Sequence, residues 1–219
     1  LVGRGRLNPQ DLVTDYLPEL AGSAYDGARL RHLLDMQIAS GFSENYTDRD
    51  GIFMAYRRAA AWNPVEEGVE TEGLRHFLTQ MPKSDTLQHG RLHHYCSPHS
   101  DVLGWVIERA GNASFAEQFS EHILAPCGGS HTGYITLDTY GAPRVSGGMC
   151  LSLYDLLLIG EMVRNRGYIN QLQVVPSAWI DDIITVHDNS IWRAQHNADG
   201  PRLFANGNYR SLWYQSGFS

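Results

Sequence analysis

Tyr95 is the residue whose surroundings in the sequence most directly suggest chemistry. It lies two residues before Ser97-Pro98, a strong helix start with serine expected as the N-cap and proline at the first helical position. A phenol near the positive partial charges of a helix N-terminus is expected to have a lowered pKa and to exchange protons. A tyrosine beside a helix cap is also a common packing residue, so the pattern alone leaves both interpretations open.

The segment around Tyr95 is also rich in groups that bind metals. His89, His93, Cys96 and His99 offer the nitrogen and sulfur ligands that zinc accepts. Their spacing matches no standard zinc site, and no nearby carboxylate is evident to orient the imidazole rings. We therefore predict no metal and no cofactor, and interpret these side chains as parts of a solvated or hydrogen-bonded loop.

Several well-known catalytic motifs are missing from the chain. The nearest approach to a Gly-x-Ser-x-Gly turn, at residues 128–132, lacks the final glycine. The sequence contains no His-Glu-x-x-His, phosphate-binding loop or Gly-x-Gly-x-x-Gly pattern. A Ser-x-x-Lys nucleophile pair cannot occur within it, because Lys83 is the sole lysine and residue 80 is glutamine.

The composition argues against several classes of function. The 219 residues are 42% hydrophobic and 19% charged, a balance typical of a folded globular protein. A net charge of −7 without a basic cluster argues against nucleic acid or a membrane surface as a partner. No run approaches the roughly 18 apolar residues of a membrane helix. Three cysteines are too few for a disulfide scaffold.

Helical patterns dominate the first two thirds of the chain. Apolar spacing, capping residues and glycine stops predict helices at 28–38, 97–110, 114–124, 152–166 and 178–184. Strands are predicted at 133–137 and 210–215. Residues 41–65 lack periodicity and are predicted to form a long ordered loop, which in compact domains is often functional. The expected fold class is therefore α+β, rich in helices, with most of its sheet missing.

Four segments, in order along the chain, resemble motifs of the serine β-lactamase-like hydrolases. They are Gly5–Leu20, Arg29–Met36 with the following Ser40-Gly41, Tyr95-Cys96-Ser97, and the Gly147-Gly148, Ser152 and Asp155 signature. Within this family, residues 20–27, 42–46 and 95–97 are most similar to nylon-oligomer hydrolases of the 6-aminohexanoate-dimer hydrolase type. The resemblance implies a β-lactamase/transpeptidase-like fold, of which this chain holds mostly the helical region plus an incomplete antiparallel sheet.

The resemblance also implies a mechanism of acyl transfer. In this family a serine, activated by a lysine one helical turn later, attacks an amide or ester carbonyl. A tyrosine then moves a proton to the leaving group and later takes one from water. Tyr95 matches that catalytic tyrosine, and Tyr46 matches a tyrosine on the substrate-facing loop. Ser97 of the Tyr-x-Ser motif and Trp213 are predicted to bind substrate, although Trp213, like Trp62, could instead be a core residue.

Both ends of the chain look cut from a longer sequence. It begins at Leu1 without an initiator methionine and stops at Ser219 within a strand-like run. We interpret residues 1–219 as part of one catalytic domain, with a helical region at roughly 20–185 and residues 186–219 leading back into the missing sheet. The Ser-x-x-Lys pair is expected before Leu1, so this fragment alone should be inactive.

Two functions therefore follow from the sequence. The first is a serine hydrolase of small amides or esters, with a small-molecule substrate and Tyr95 as proton shuttle. The alternative is a β-lactamase-like binding module that has lost its nucleophile and kept its pocket. A metal-binding domain around residues 89–99 is a third, weaker interpretation. The compartment stays open, with a mild preference for the cytoplasm.

Overall fold

Helices make up most of the regular structure in the computed structural model, which describes residues 1–63, 68, 70–185, 188–196 and 207–216. The α-helices are α1 Val13–Tyr16, α2 Leu30–Leu34, α3 Ile52–Ala59, α4 Leu74–Thr79, α5 Ser97–Gly111, α6 Phe115–Phe119, α7 Leu153–Arg164, α8 Ser177–Ile184 and α9 Ser190–His196. The strands are β1 Tyr134–Ile135, β2 Met149–Cys150, β3 Tyr168–Ile169, β4 Leu172–Gln173, β5 Asn208–Arg210 and β6 Trp213–Gln215. Among the described residues, no helix has the length and apolarity needed to cross a bilayer.

Helix α5 is the centre of the main hydrophobic core. Pro98 lies in its first turn, and Asn112 ends it in the left-handed conformation with φ of 54°. Its residues 102, 103, 105 and 106 are buried in one cluster with side chains of α1, α2, α3 and α4. Such close packing holds the start of α5 in a fixed position relative to these four helices.

Two predictions for the first third of the chain are wrong. The helix expected at 28–38 is limited to Leu30–Leu34, because the chain takes a left-handed φ of 53° at Met36. The loop expected at 41–65 contains helix α3. Phe53, Tyr56 and Ala59 of α3 are buried at a spacing of three residues, so tertiary packing stabilises a helix whose local pattern is short.

Short antiparallel pairs form the sheets of the described residues, in the order β1–β2, β3–β4 and β5–β6. The strand predicted at 133–137 is confirmed at its centre, where Tyr134 lies opposite Cys150. The single strand predicted at 210–215 is instead part of a hairpin. Ser211 and Leu212 form its turn with φ of 50° and 68°, the conformation of a two-residue turn with positive φ at both positions. The strand-like sequence pattern continues through residues 211 and 212, so the sequence gives no sign of the turn.

A network of ion pairs fastens the β5–β6 hairpin to the helices. The guanidinium of Arg210 donates to Asp35 at 2.7 Å and to Asp182 at 2.6 and 3.0 Å. Arg31 also approaches Asp35 and Asp182, at 3.3 Å each. The backbone N–H of Ser211 donates to Asp35 at 3.0 Å. Because Asp35 is buried and multiply bonded, the hairpin is held in one orientation above α2.

Asp101 of α5 lies at the centre of a buried polar network. Its carboxylate accepts from the Tyr56 hydroxyl at 2.6 Å and from the Ser146 backbone N–H at 2.8 Å. Asp101 is buried, and its bonds join α5 to α3 and to the turn before β2. Burial raises its pKa to about 6, although the hydrogen bonds from Tyr56 and Ser146 oppose the shift.

The raised pKa of Asp101 predicts a definite pH dependence of stability. Between pH 4 and 6 the folded state holds a proton that the unfolded state has released, so the free energy of unfolding falls as pH rises. The ionisation of Asp101 lowers the free energy of unfolding by about 3 kcal/mol across this window. We expect Asp101→Asn to remove this loss in urea denaturation of the whole protein at pH 4 to 7. Parallel stability profiles of the two proteins would contradict the assignment.

Gly104 of α5 provides a second test of this packing. A Cβ at this position would overlap the side chain of Val145, a stiff β-branched residue. Gly104→Ala is therefore expected to lower the free energy of unfolding by about 1–3 kcal/mol. Gly160→Ala in α7 is the matched control, because a Cβ there meets open space and should stabilise the helix by up to about 1 kcal/mol. Equal effects of both substitutions on thermal unfolding would refute the contact.

Candidate active site

Tyr95 lies at the end of the segment that leads into α5. Its side chain is 44% exposed, whereas the next residue, Cys96, is completely buried. The backbone before it is tied to the core by the His94 N–H, which donates to the Met36 carbonyl at 2.7 Å. Cys96 is the N-cap and Ser97 the first helical residue, so the prediction of Ser97 as N-cap is wrong by one position. The phenol of Tyr95 therefore stands at a rigid helix start with one side open.

The carboxylate of Glu44 occupies the position that a capping serine was expected to fill. It accepts from the backbone N–H of Ser97 at 2.9 Å and from the Ser97 hydroxyl at 2.8 Å. It also accepts from the Tyr46 hydroxyl at 2.7 Å. A negative charge at this point satisfies a backbone donor that the helix leaves free and complements the helix dipole. One side chain thus joins the 42–46 segment to the start of α5.

Glu44 also sets the protonation of the two tyrosines beside it. Partial burial raises the pKa of Tyr95, the Glu44 charge raises it further, and a hydrogen bond with Ser97 acts in the opposite direction. The hydrogen bond to Glu44 is the largest cause that raises the pKa of Tyr46, to about 12. The prediction of a lowered pKa for Tyr95 is therefore wrong, because partial burial and the charge of Glu44 both raise it. Both phenols carry their protons at neutral pH.

Tyr46 is positioned by aromatic contacts as well as by Glu44. Its ring is 63% exposed and packs edge-on against Phe53 of α3, with 4.6 Å between ring centroids. Phe53 in turn contacts the buried Phe42, at 6.4 Å between centroids. Helix α3 therefore supports the segment that carries Glu44 and Tyr46. The three predicted site residues Tyr46, Tyr95 and Ser97 are brought together around one carboxylate.

The β5–β6 hairpin approaches Tyr95 with a different residue from the one predicted. Tyr209 and Tyr214 lie opposite each other across the hairpin, and their rings are 4.8 Å apart. The Tyr209 ring lies 4.9 Å from that of His93, two residues before Tyr95, so the hairpin packs beside the segment that carries Tyr95. Burial raises the pKa of both tyrosines, and a charge on Tyr95 raises it further. Trp213 lies opposite Arg210 and faces the other side of the hairpin. A substrate contact of Trp213 remains a prediction.

The candidate metal ligands His89, His93, Cys96 and His99 have different surroundings. His99 is completely buried, which lowers its pKa to about 3, and its Nδ1 lies 3.4 Å from the Tyr25 hydroxyl. His89 Nδ1 accepts from the Ala39 N–H at 3.0 Å. His93 packs against the rings of Trp192 and Tyr209, 4.9 Å from each. Burial raises the pKa of the Cys96 thiol. In the parts of the chain with described coordinates, no three potential ligands converge on one point.

Glu44 and Tyr214 are the site residues that sequence reasoning missed. Glu44 lies 53 residues before Ser97, and no local motif links the two positions. Tyr214 was included in a strand pattern, but its face toward Tyr95 depends on the turn at residues 211 and 212. The signal available for Glu44 was its position two residues before Tyr46, in a segment already assigned to substrate contact.

Replacing Glu44 with glutamine tests its effect on Tyr95. The amide keeps the size and an acceptor but removes the charge, so the pKa of Tyr95 should fall. The pKa of Tyr95 is measured from the phenolate absorbance near 295 nm during alkaline titration of the whole protein. The titration curve of the same protein with the added Tyr95→Phe substitution is subtracted, so that the remaining absorbance belongs to Tyr95. Glu161→Gln on the exposed side of α7 is the control and should leave the titration unchanged. An unchanged or higher pKa in Glu44→Gln would contradict the proximity of the carboxylate.

Two proteins that are similar to this chain are described as 6-aminohexanoate-dimer hydrolases. A 6-aminohexanoate-dimer hydrolase of Paenarthrobacter ureafaciens is 29% identical over 217 residues, which are 99% of this chain and 54% of that protein. A Bacillus anthracis protein solved as a proposed 6-aminohexanoate-dimer hydrolase has a TM-score of 0.80 and 22% identity, over 98% of this chain and 54% of its own. The chain thus spans about half the length of these two relatives.

More distant structures share the fold. The octameric penicillin-binding protein homologue of Pyrococcus abyssi has a TM-score of 0.69 and 18% identity, over 98% of this chain and 49% of its own. EstCE1, a hydrolase with promiscuous acyltransferase activity, has a TM-score of 0.66 and 17% identity, over 98% of this chain and 64% of its own. The predicted β-lactamase/transpeptidase-like fold is therefore confirmed. Because the Beta-lactamase family model matches residues 1–154, well over half of the sequence, the chain belongs to the beta-lactamase family.

Proposed function

We propose that the whole protein is a serine hydrolase of small amides or esters, similar to the 6-aminohexanoate-oligomer hydrolases and carboxylesterases. The observation that carries this proposal is the phenol of Tyr95, half exposed at the start of α5 and linked through Ser97 to the carboxylate of Glu44. Membership of the beta-lactamase family and the 29% identity to a 6-aminohexanoate-dimer hydrolase support it.

The proposed nucleophile is a serine of a Ser-x-x-Lys pair outside these 219 residues. The one lysine of the chain, Lys83, is exposed and pairs with Asp26 at 3.2 Å, so it is occupied away from Tyr95. In the proposed reaction the serine oxygen attacks the substrate carbonyl and forms a tetrahedral intermediate, while the paired lysine takes the serine proton.

Tyr95 has two proton transfers in this scheme. Its raised pKa keeps it protonated at neutral pH, so it first donates its proton to the leaving nitrogen or oxygen as that bond breaks. The resulting phenolate is then a strong base and takes a proton from water. The hydroxide equivalent attacks the acyl-serine ester, the acid is released, and the lysine returns the proton it took to the serine oxygen. Ser97 and Glu44 hold the phenol in place throughout.

The experiment is a comparison of Tyr95→Phe with the unaltered whole protein. A chromogenic short-chain ester and the 6-aminohexanoate dimer serve as substrates. We expect kcat to fall roughly 10²- to 10⁴-fold in the variant, because phenylalanine keeps the ring and removes the proton carrier. Tyr168→Phe, at an exposed position of β3, is the matched control and should keep full activity.

Two outcomes would overturn the proposal. Full activity of Tyr95→Phe would make Tyr95 a packing residue. No turnover of either substrate by the folded whole protein would favour the binding module that has lost its nucleophile. The 219-residue chain alone is the negative control for both substrates, since it contains no Ser-x-x-Lys pair.

A further inference from the structure

Two arginines contact the same exposed indole ring close to the candidate active site. The guanidinium carbon of Arg57 on α3 lies 4.7 Å from the ring centroid of Trp62, and that of Arg144 lies 3.7 Å from it. Trp62 is 43% exposed, whereas Arg144 is only 8% exposed. Stacking on an indole is favourable for a guanidinium, but it does not neutralise the charge. The surface at Trp62 is therefore backed by two positive charges.

Neither charge is paired with a carboxylate in the described part of the chain. Arg57 donates from Nη2 to the amide oxygen of Asn63 at 2.7 Å, and Arg144 donates from Nη1 to the Gly147 carbonyl at 3.3 Å. The Nε atoms of both arginines are buried without a hydrogen-bond partner among the described residues. Asp101 is close enough for Arg144 to lower its pKa, yet its oxygens are already bound by other donors.

Buried or half-buried charges in proteins are normally paired, because leaving one unpaired costs several kcal/mol. Two guanidinium groups that contact one indole ring, without a carboxylate partner among the described residues, are thus an unusual arrangement for a purely structural purpose. The planar N–H donors of a guanidinium match the two oxygens of a carboxylate. A ligand with an ammonium group or without a charge would not satisfy these donors in the same way. An anionic ligand would supply the counter-charge that the described residues do not give to Arg57 and Arg144.

The position of this pair relates it to the tyrosines of the site. The buried ring of Phe53 lies 4.6 Å from that of Tyr46 and 6.3 Å from that of Trp62, so it supports both exposed rings from below. Arg57 lies 5.9 Å from the Phe53 centroid, and its charge opposes the rise in the pKa of Tyr46. A small molecule whose reacting carbonyl lies at Tyr95 and Tyr46 is therefore expected to extend over the exposed ring of Trp62 toward Arg57.

We propose that Arg57, supported by Arg144 behind Trp62, forms a subsite for a carboxylate. The preferred substrates are then amides or esters with a free carboxylate at the end remote from the scissile bond. Trp62 packs against the apolar chain between the two ends of such a molecule. This substrate class rests on the proposed hydrolase function, whereas the carboxylate subsite itself does not require catalysis.

The first test compares two esters that differ only at the remote end. These are the mono-p-nitrophenyl ester of glutaric acid, which carries a carboxylate, and p-nitrophenyl valerate, which ends in a methyl group. The measured quantity is the ratio of their kcat/KM values in the whole protein. Arg57→Gln should lower this ratio roughly tenfold or more, through a higher KM for the carboxylate ester.

Arg58→Gln is the matched control for this ratio. Arg58 is the next residue of the same helix and has the same charge, but it is exposed. Its substitution should leave the ratio within twofold of the unaltered protein. Equal losses in Arg57→Gln and Arg58→Gln would indicate a diffuse charge effect and would overturn the subsite. An unchanged ratio in Arg57→Gln would overturn it as well.

Calorimetric binding of sodium hexanoate and of hexanamide separates the subsite from the catalytic proposal. The unaltered protein and Arg58→Gln should bind hexanoate more tightly than hexanamide, and Arg57→Gln should lose this preference. That result, with no hydrolysis of either ester by the unaltered protein, would refute the hydrolase function and leave the subsite standing. Equal binding of hexanoate and hexanamide by the unaltered protein would refute the subsite.

Discussion

The carboxylate of Glu44 is the constraint on which the candidate site depends. Its two oxygens accept from the backbone and hydroxyl of Ser97, 53 residues away, and from the hydroxyl of the nearby Tyr46, so three donors share one charge. Bonds to an ionised acceptor are shorter and stronger than bonds between neutral groups. Because the bound N–H belongs to the first residue of α5, the same contact that orders the 42–46 segment also caps the helix.

The rest of the fold holds the two sides of this contact still. On the helix side, the buried Cys96 and Val102 and the Asp101 network fix the first turns of α5. On the other side, Phe42 and Phe53 anchor the segment that carries Glu44. The β5–β6 hairpin, held by ion pairs to α2 and α8, closes a third side near Tyr95. A half-exposed phenol is thus supported by buried elements, which is the rigidity that proton transfer requires.

Local chemistry in the sequence was sufficient for some elements and not for others. The Ser114–Glu117 capping box and the Ser152 cap of α7 were predictable, because each depends on a few neighbouring residues. The Gly147-Gly148 signature also has a local reason, since a Cβ on Gly148 would overlap Thr136 and the Arg144 carbonyl. Glu44 and α3 were missed because long-range packing and pairing, rather than their own segments, determine their roles.

In the proposed reaction, Tyr95 faces the leaving group of the tetrahedral intermediate that precedes the acyl-serine ester. A crystal structure of the whole protein after reaction with a p-nitrophenyl phosphonate ester, a stable mimic of the tetrahedral intermediate, tests it most directly. We expect a covalent serine adduct with the Tyr95 hydroxyl within about 3.2 Å of a phosphonate oxygen, on the side from which the leaving group departs. An adduct whose oxygens are all remote from Tyr95, or a folded protein that forms no adduct, would contradict it.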